Sequence, residues 1–242
     1  MTAIHSGRTR ARGRALVRSA AVLGGLLLSF VGVIGFAHTR AGRPLLALLG
    51  RAVHPGACPL GYDRQATPLQ REQAAARWAS THRGTAPAAA RPALGFALGQ
   101  TRRADVVSAM AAHGIDCGPG AAADLVCRQV PTTALPGAVG RLARELWLTF
   151  GARGQLLSLV ALSRAEGAGA ISDAFSDVTA QVARAAGPPT SRAGEGGAAY
   201  LAAGALHQSS AEFRYANYYA LARATNMGNG YLLTEEYRTL AD

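Results

Sequence analysis

Between Arg18 and Arg40 lie 21 residues with no formal charge, SAAVLGGLLLSFVGVIGFAHT. A helix rises about 1.5 Å per residue, so a run of about this length crosses a hydrocarbon core roughly 30 Å thick. In lipid such a helix satisfies its own backbone, which makes the run a competent span. Five Arg precede it and three follow it before residue 52, and the side richer in basic residues stays in the cytoplasm. The expected organisation is a cytoplasmic Arg-rich leader over 1–18, a transmembrane anchor over 19–39 and a larger domain on the far side of a bacterial inner membrane. Cleavage is the alternative: Gly35-Phe36-Ala37 and Thr39-Arg40-Ala41 offer small residues to a signal peptidase, which would release a secreted domain. The run is longer than the roughly 7 to 15 apolar residues of a signal peptide, which favours the anchor.

The same segment accounts for the charge of the chain. The formal net charge is +11, but residues 1–51 hold eight Arg and no acid, leaving 17 Arg against 14 Asp and Glu in the rest. A remainder of about +3 is ordinary for a soluble domain, and the basicity of the chain as a whole is no sign of a nucleic-acid partner. Every basic residue is Arg and none is Lys, a usage that, beside so much Ala and Gly, reads as the codon bias of a GC-rich bacterium. Membrane lipid is therefore the partner implied by the N-terminal segment, whose Arg leader can also meet anionic headgroups at about 1 kcal/mol per residue. The partner expected for the outer domain is another envelope protein.

Residues 40–93 read as a connecting segment. Leu45 to Leu49 is apolar but too short to span, and Pro55, Gly56, Pro59 and Gly61 break any regular element. Thr67-Pro68 has the chemistry of a helix start, and the helix formers that follow predict a helix near 68–83. TAPAAARPA then reads as a Pro/Ala linker, with a domain beginning near Leu94.

From Leu94 to Asp242 the pattern occurs twice, over 94–164 and 170–240. ADVVSAMAAHG (104–114) is matched by SDVTAQVARAAG (176–187), each with Asp-Val expected in the first helical turn and Gly expected as the αL cap. Strand-like runs follow each helix: LVCRQV, LWLTF and LLSLVAL in the first half, AAYLAAGALH, FRYANYYALARAT and YLLTEEY in the second. Gly151 to Gly154 and Asn226 to Gly230 join the last two runs of each half, and Asn229-Gly230 is a hairpin signal. The fold class expected is α+β: an N-terminal transmembrane helix followed by two units, each a helix on an antiparallel sheet.

With Leu98-Gly-Gln-Thr101 entering the first helix and Asp105-Val106 in its opening turns, residues 94–237 resemble the bacterial envelope modules of the β-lactamase-inhibitor-protein type. That fold is shared with the small lipoprotein of the outer-membrane assembly machine. The resemblance implies a non-enzymatic module that presents a sheet surface to another protein, and it carries over no catalytic residue.

Cys117 and Cys127 flank a Gly-Pro-Gly turn region, and outside the cytoplasm they are expected to form a disulfide, leaving Cys58 over. A metal site from His113, Asp116, Cys117 and Cys127 is the competing use, although the spacing fits no strong zinc pattern. Phe213, Tyr215, Tyr218, Tyr219, Tyr231 and Tyr237 concentrate aromatics in the last hairpin. Residues of equal parity share a strand face, so Phe213, Tyr215 and Tyr219 are expected to point together. Some of these rings pack the sheet; Tyr215, Tyr218, Tyr219 and Tyr231 are the candidates for an interaction surface. Glu212, Glu235 and Glu236, near Arg214, Arg223 and Arg238, suit ion pairs better than acid–base chemistry. No nucleophile elbow, zinc-protease or phosphate-loop motif occurs. No cofactor is called for, and an envelope hydrolase with a site lacking any short motif is the alternative to a binding module.

Overall fold

Thr67 starts the structure by reciprocal capping: its backbone N–H donates to Gln70 Oε1 (2.7 Å), and its hydroxyl accepts from the Gln70 N–H (3.3 Å). With Pro68 at the first helical position, this fixes α1, Pro68–His82. The computed structural model describes residues 67–240 except 121, 122 and 141, all within one compact unit, Asp63–Asp242. The run over 19–39 lies outside the described residues, among which no helix is long and apolar enough to cross a membrane.

The element order after α1 is α2 (Arg103–Ala111), β1 (Cys117–Gly118), β2 (Leu125–Val130), β3 (Arg144–Phe150), β4 (Leu156–Ala165), α3 (Ala168–Ala186), β5 (Ser191–Ala193), α4 (Ala198–Ala202), β6 (Gln208–Arg214), β7 (Tyr218–Asn226) and β8 (Tyr231–Thr239). The strands form one antiparallel sheet in the order β1-β2-β3-β4-β8-β7-β6-β5. The chain is thus α+β, and the two expected sheets are halves of one, joined where Ser158 to Ala165 pairs with Arg238 to Tyr231.

Burial alternates along β3 from Arg144 to Phe150, as a sheet with one covered face requires. On the covered side Leu146, Leu148, Leu159, Ala161, Phe213, Ala220, Ala222 and Leu233 share a core with Ile171, Phe175, Val178 and Val182 of α3. Val106 and Met110 of α2, four apart, enter the same core. The Asp-Val pairs correspond in only one respect. Val106 and Val178 are both buried, but Asp105 lies in the first turn of α2, accepting from the Arg102 N–H (2.8 Å), whereas Asp177 lies mid-helix because α3 begins eight residues before Ser176. Gly114 (φ 71°) lies in the left-handed region after α2. Gly187 (φ 117°, ψ 176°) is no αL cap; any Cβ there would lie 2.4 Å from Tyr215 Oη, so glycine makes room for that ring.

Two strand expectations in the second half are corrected. AAYLAAGALH holds the short helix α4, whose Leu201 is fully buried, and the first full-length strand of this half starts only at Gln208. FRYANYYALARAT is split by a turn at 215–217, so parity cannot be carried through it. Phe213 faces the helices, whereas Tyr219 faces the opposite side of the sheet with Ala79 and Leu221.

Residues 84–92 run as a strap along the β6–β7 turn. The Gly84 N–H donates to Tyr215 O (3.1 Å), the Ala216 N–H to Ala86 O (2.7 Å), the Ala88 N–H to Asn217 Oδ1 (2.9 Å) and the Tyr218 hydroxyl to Pro92 O (2.6 Å). The strap carries the chain from α1, which lies on the side away from the main core, to the helix-covered side. At Gly84 a Cβ would lie 2.1 Å from the Arg214 carbonyl oxygen, so this close approach requires glycine.

Candidate functional site

Adjacent strand residues point to opposite faces, which separates the charged residues of the last hairpin. Glu235 is on the covered face, fully buried, with its Oε1 accepting from Arg144 Nε (2.8 Å) and its Oε2 from the Tyr237 hydroxyl (2.7 Å). Arg144, 2% exposed, also donates to the carbonyls of Leu142 (3.1 Å) and Val139 (2.8 Å), tying the chain before β3 to the core. Glu236 is on the other face with Arg238, and Glu212 pairs with Arg214 (2.7 Å). Both of these pairs are two residues apart on one strand. Glu235 and Glu236 cannot act on one substrate from opposite sides of a sheet. Burial raises the Glu212 carboxyl, but hydrogen bonds from Arg214, Tyr219 and Ser191 outweigh it and leave the group below its ordinary range.

Cys117 and Cys127 are directly paired across β1 and β2 and form a disulfide. Neither sulfur is then available as a thiolate ligand, and His113 and Asp116 are exposed beside it; among the described residues no group of His, Cys, Asp or Glu could hold a metal ion. The bridge fastens a two-residue edge strand. In the loop-entropy description, closing a loop of this size contributes about 2 to 3 kcal/mol. The Cys117→Ser/Cys127→Ser double variant is expected to lose about that stability in urea titration, and a loss under 0.5 kcal/mol would show the bridge to be energetically idle.

The tyrosines named as a surface are mostly interior. Tyr218 is fully buried on the helix side, and Tyr215 is 8% exposed with its hydroxyl donating to Pro188 O (2.9 Å). Tyr231 is half-buried against the same core. Tyr219 faces the other way but is covered by α1: Trp78 meets it edge-on (4.6 Å between centroids), and His82 stacks on Trp78 (3.9 Å). The Arg238 guanidinium lies over the Trp78 ring (4.4 Å), adding a cation–π contact. Burial pushes the hydroxyls of Tyr218, Tyr219 and Tyr237 above the ordinary phenol range, so all three stay neutral.

A further part of the face away from the main core, over β3 and β4, is covered by no described helix. There Trp147 pairs with Val160, and Glu145 with Leu162. All four are half-buried, as is Leu232 on β8. The Trp147 indole N–H donates to Glu145 Oε1 (2.7 Å), which fixes the ring's polar edge and leaves its apolar area for contact. Among the described residues no cation pairs with Glu145. Sequence reasoning did not single out these residues. The signal was present in RELWLTF, where one parity reads Arg, Leu, Leu, Phe and the other Glu, Trp, Thr: a Trp among polar residues on the solvent parity.

A separate hollow of about 240 Å³ is lined by Gly99, Gln100, Arg102, Arg153 and Gln155. It is smaller than the roughly 300 to 1,000 Å³ typical of small-molecule sites. No protein-family model, curated protein or solved structure matches the chain.

Proposed function

We propose that this chain is a membrane-anchored binding module whose outer domain docks another envelope protein on the face of its sheet opposite α2 and α3. The observation that carries the reading is the part of that face that no described helix covers, where the half-buried Trp147, Val160, Leu162 and Leu232 lie, bordered in the ladders by Glu145, Arg164, Thr234 and Glu236. An aromatic anchor flanked by aliphatic side chains and a polar rim is the anatomy of a recognition surface. Small-molecule chemistry has less support, since the hollow at Arg102 and Arg153 is small.

Placement at the inner membrane rests on the apolar run over 19–39 and its Arg flanks, with the domain on the outer side. The Cys117–Cys127 bridge is in keeping with an oxidising compartment. The order of elements is in keeping with the likeness to the β-lactamase-inhibitor-protein type: the first half is a helix followed by four antiparallel strands, the second has the same elements with the short α4 between β5 and β6, and the halves meet at β4 and β8.

The chain contains no Lys, so amine-directed crosslinkers reach only its N-terminus. A photoreactive amino acid placed at Val160 in the full-length protein, in intact cells, is the suitable probe, with Val107 on the solvent side of α2 as the comparison site. A protein adduct at Val160 and none at Val107 is expected. No adduct at Val160, or the same adduct at both positions, contradicts the reading.

A further inference from the structure

We infer that the hollow between the entry to α2 and the β3–β4 turn binds a phosphate group. The inference is independent of the docking reading above. Five residues line the hollow: Gly99, Gln100, Arg102, Arg153 and Gln155. None is acidic, and a guanidinium keeps its charge at every physiological pH, so the hollow is permanently positive. Among the described residues no carboxylate forms an ion pair with Arg102 or Arg153, whereas Arg144, Arg214 and Arg238 each meet a glutamate. Asp105, the acid in the first turn of α2, accepts instead from the Arg102 backbone N–H (2.8 Å). Two arginines thus gather on one hollow without a counter-charge.

Both walls of the hollow are set by the backbone. The Gly99 N–H donates to Leu156 O (2.7 Å), the Leu156 N–H to Thr101 O (2.8 Å) and the Arg103 N–H to Gly154 O (3.3 Å), so the segment entering α2 is laddered to the start of β4. Arg102 Nη1 donates to Arg153 O (3.1 Å), which holds that guanidinium on the turn and spends one of its five N–H donors. Gly99 (φ 79°) and Gly154 (φ 76°) supply the left-handed backbone at the two bends. The walls need no ordering when a ligand arrives.

Size and donors select the ligand. The volume of about 240 Å³ is that of about eight waters at roughly 30 Å³ each, little for most small molecules and ample for one tetrahedral oxyanion with part of its hydration. A guanidinium presents two parallel N–H groups to a pair of oxygens, and the Gln100 amide adds two more donors. Two such forks and an amide outnumber the two oxygens of a carboxylate and suit the three terminal oxygens of a phosphate monoester. That group carries about −1.5 to −2 at pH 7, which two arginines balance. It occurs both as soluble phosphate and at the headgroup of an anionic lipid.

The test titrates inorganic phosphate into the purified full-length chain with phosphatidylcholine vesicles, followed by calorimetry. One site with a Kd of about 1 mM or tighter is expected at about 0.15 M salt. Arg153→Gln keeps the carbonyl that Arg102 uses, so it is expected to leave the melting temperature without phosphate unchanged and to weaken binding about tenfold. Arg192→Gln, on the exposed edge strand β5, should change neither. No saturable binding, no effect of Arg153→Gln, or an equal effect of Arg192→Gln would overturn the site. Binding about tenfold tighter in Asp63→Asn/Glu72→Gln/Asp242→Asn, which neutralises the acids whose side chains lie outside the described structure, would put a carboxylate of this chain in the hollow and overturn the ligand. Vesicles containing phosphatidic acid separate the two sources: a phosphate titration suppressed by that lipid assigns the site to a headgroup, and an unchanged titration assigns it to soluble phosphate.

Discussion

Glu235→Ala is expected to destabilise the folded domain by about 3 to 5 kcal/mol, because it leaves the Arg144 guanidinium charged, buried and without its carboxylate. Both side chains are essentially inaccessible, at 1% and 0% exposure, so water cannot replace the lost partner. Tyr237 loses its acceptor in the same step, and its hydroxyl becomes a second unsatisfied group. Arg144→Ala removes the opposite charge and, with it, the donors to Val139 and Leu142, so it should cost a similar amount and loosen the chain before β3. The informative comparison is the Arg144→Met/Glu235→Leu double variant. Replacing a buried pair by apolar groups of similar volume is often neutral or stabilising, but the Tyr237 hydroxyl and the Val139 and Leu142 carbonyls still lose their partners, so the double variant should lie about 1 to 3 kcal/mol below the parent and above Glu235→Ala. Urea unfolding of the three variants checks this. If the double variant is as damaged as Glu235→Ala, the pair has a role that exceeds mutual neutralisation.

Tyr218→Ala is the second large effect, at about 3 to 5 kcal/mol, since it empties an aromatic site at zero exposure in the core. Tyr218→Phe keeps the ring and loses only the hydroxyl that donates to Pro92 O, so a loss of about 1 kcal/mol is expected. Thermal unfolding separates the two, because about 1 kcal/mol moves the melting temperature of a domain this size by roughly 2 to 4 °C. A stable Tyr218→Ala protein would mean that this ring is not packed as described.

Local chemistry was the legible part of the sequence. The α+β class, the antiparallel strands and the Cys117–Cys127 bridge follow from periodicity and spacing. Thr67-Pro68 and Asn229-Gly230 sit where α1 begins and where β7 turns into β8. Less legible was anything decided by which face a strand presents. The turn at Tyr215-Ala216-Asn217 contains no Gly or Pro, so the run from Phe213 to Thr225 reads as continuous, and the parity of its tyrosines is misassigned. The turn is held instead by the distant strap, through Gly84, Ala86 and Ala88. Arg144 and Glu235 are 91 residues apart, and no local pattern distinguishes either from a surface charge. The position of α1 was hidden for a similar reason. Its contact stripe is only Trp78, Ala79 and His82, too short to mark an amphipathic helix, and of the sheet residues it covers only Tyr219 stands out in the sequence.

On the docking reading the β3–β4 face is accessible in the isolated protein and occupied in the cell. Introducing Leu162→Cys into a Cys58→Ser background tests it most directly, with Val107→Cys as the comparison and a membrane-impermeant maleimide as the probe. Both cysteines should react in the purified full-length protein. In intact cells with a permeabilised outer barrier, the cysteine at 107 should react as before while the one at 162 is protected at least fivefold. Equal reactivity of the two positions in the cell would contradict the claim.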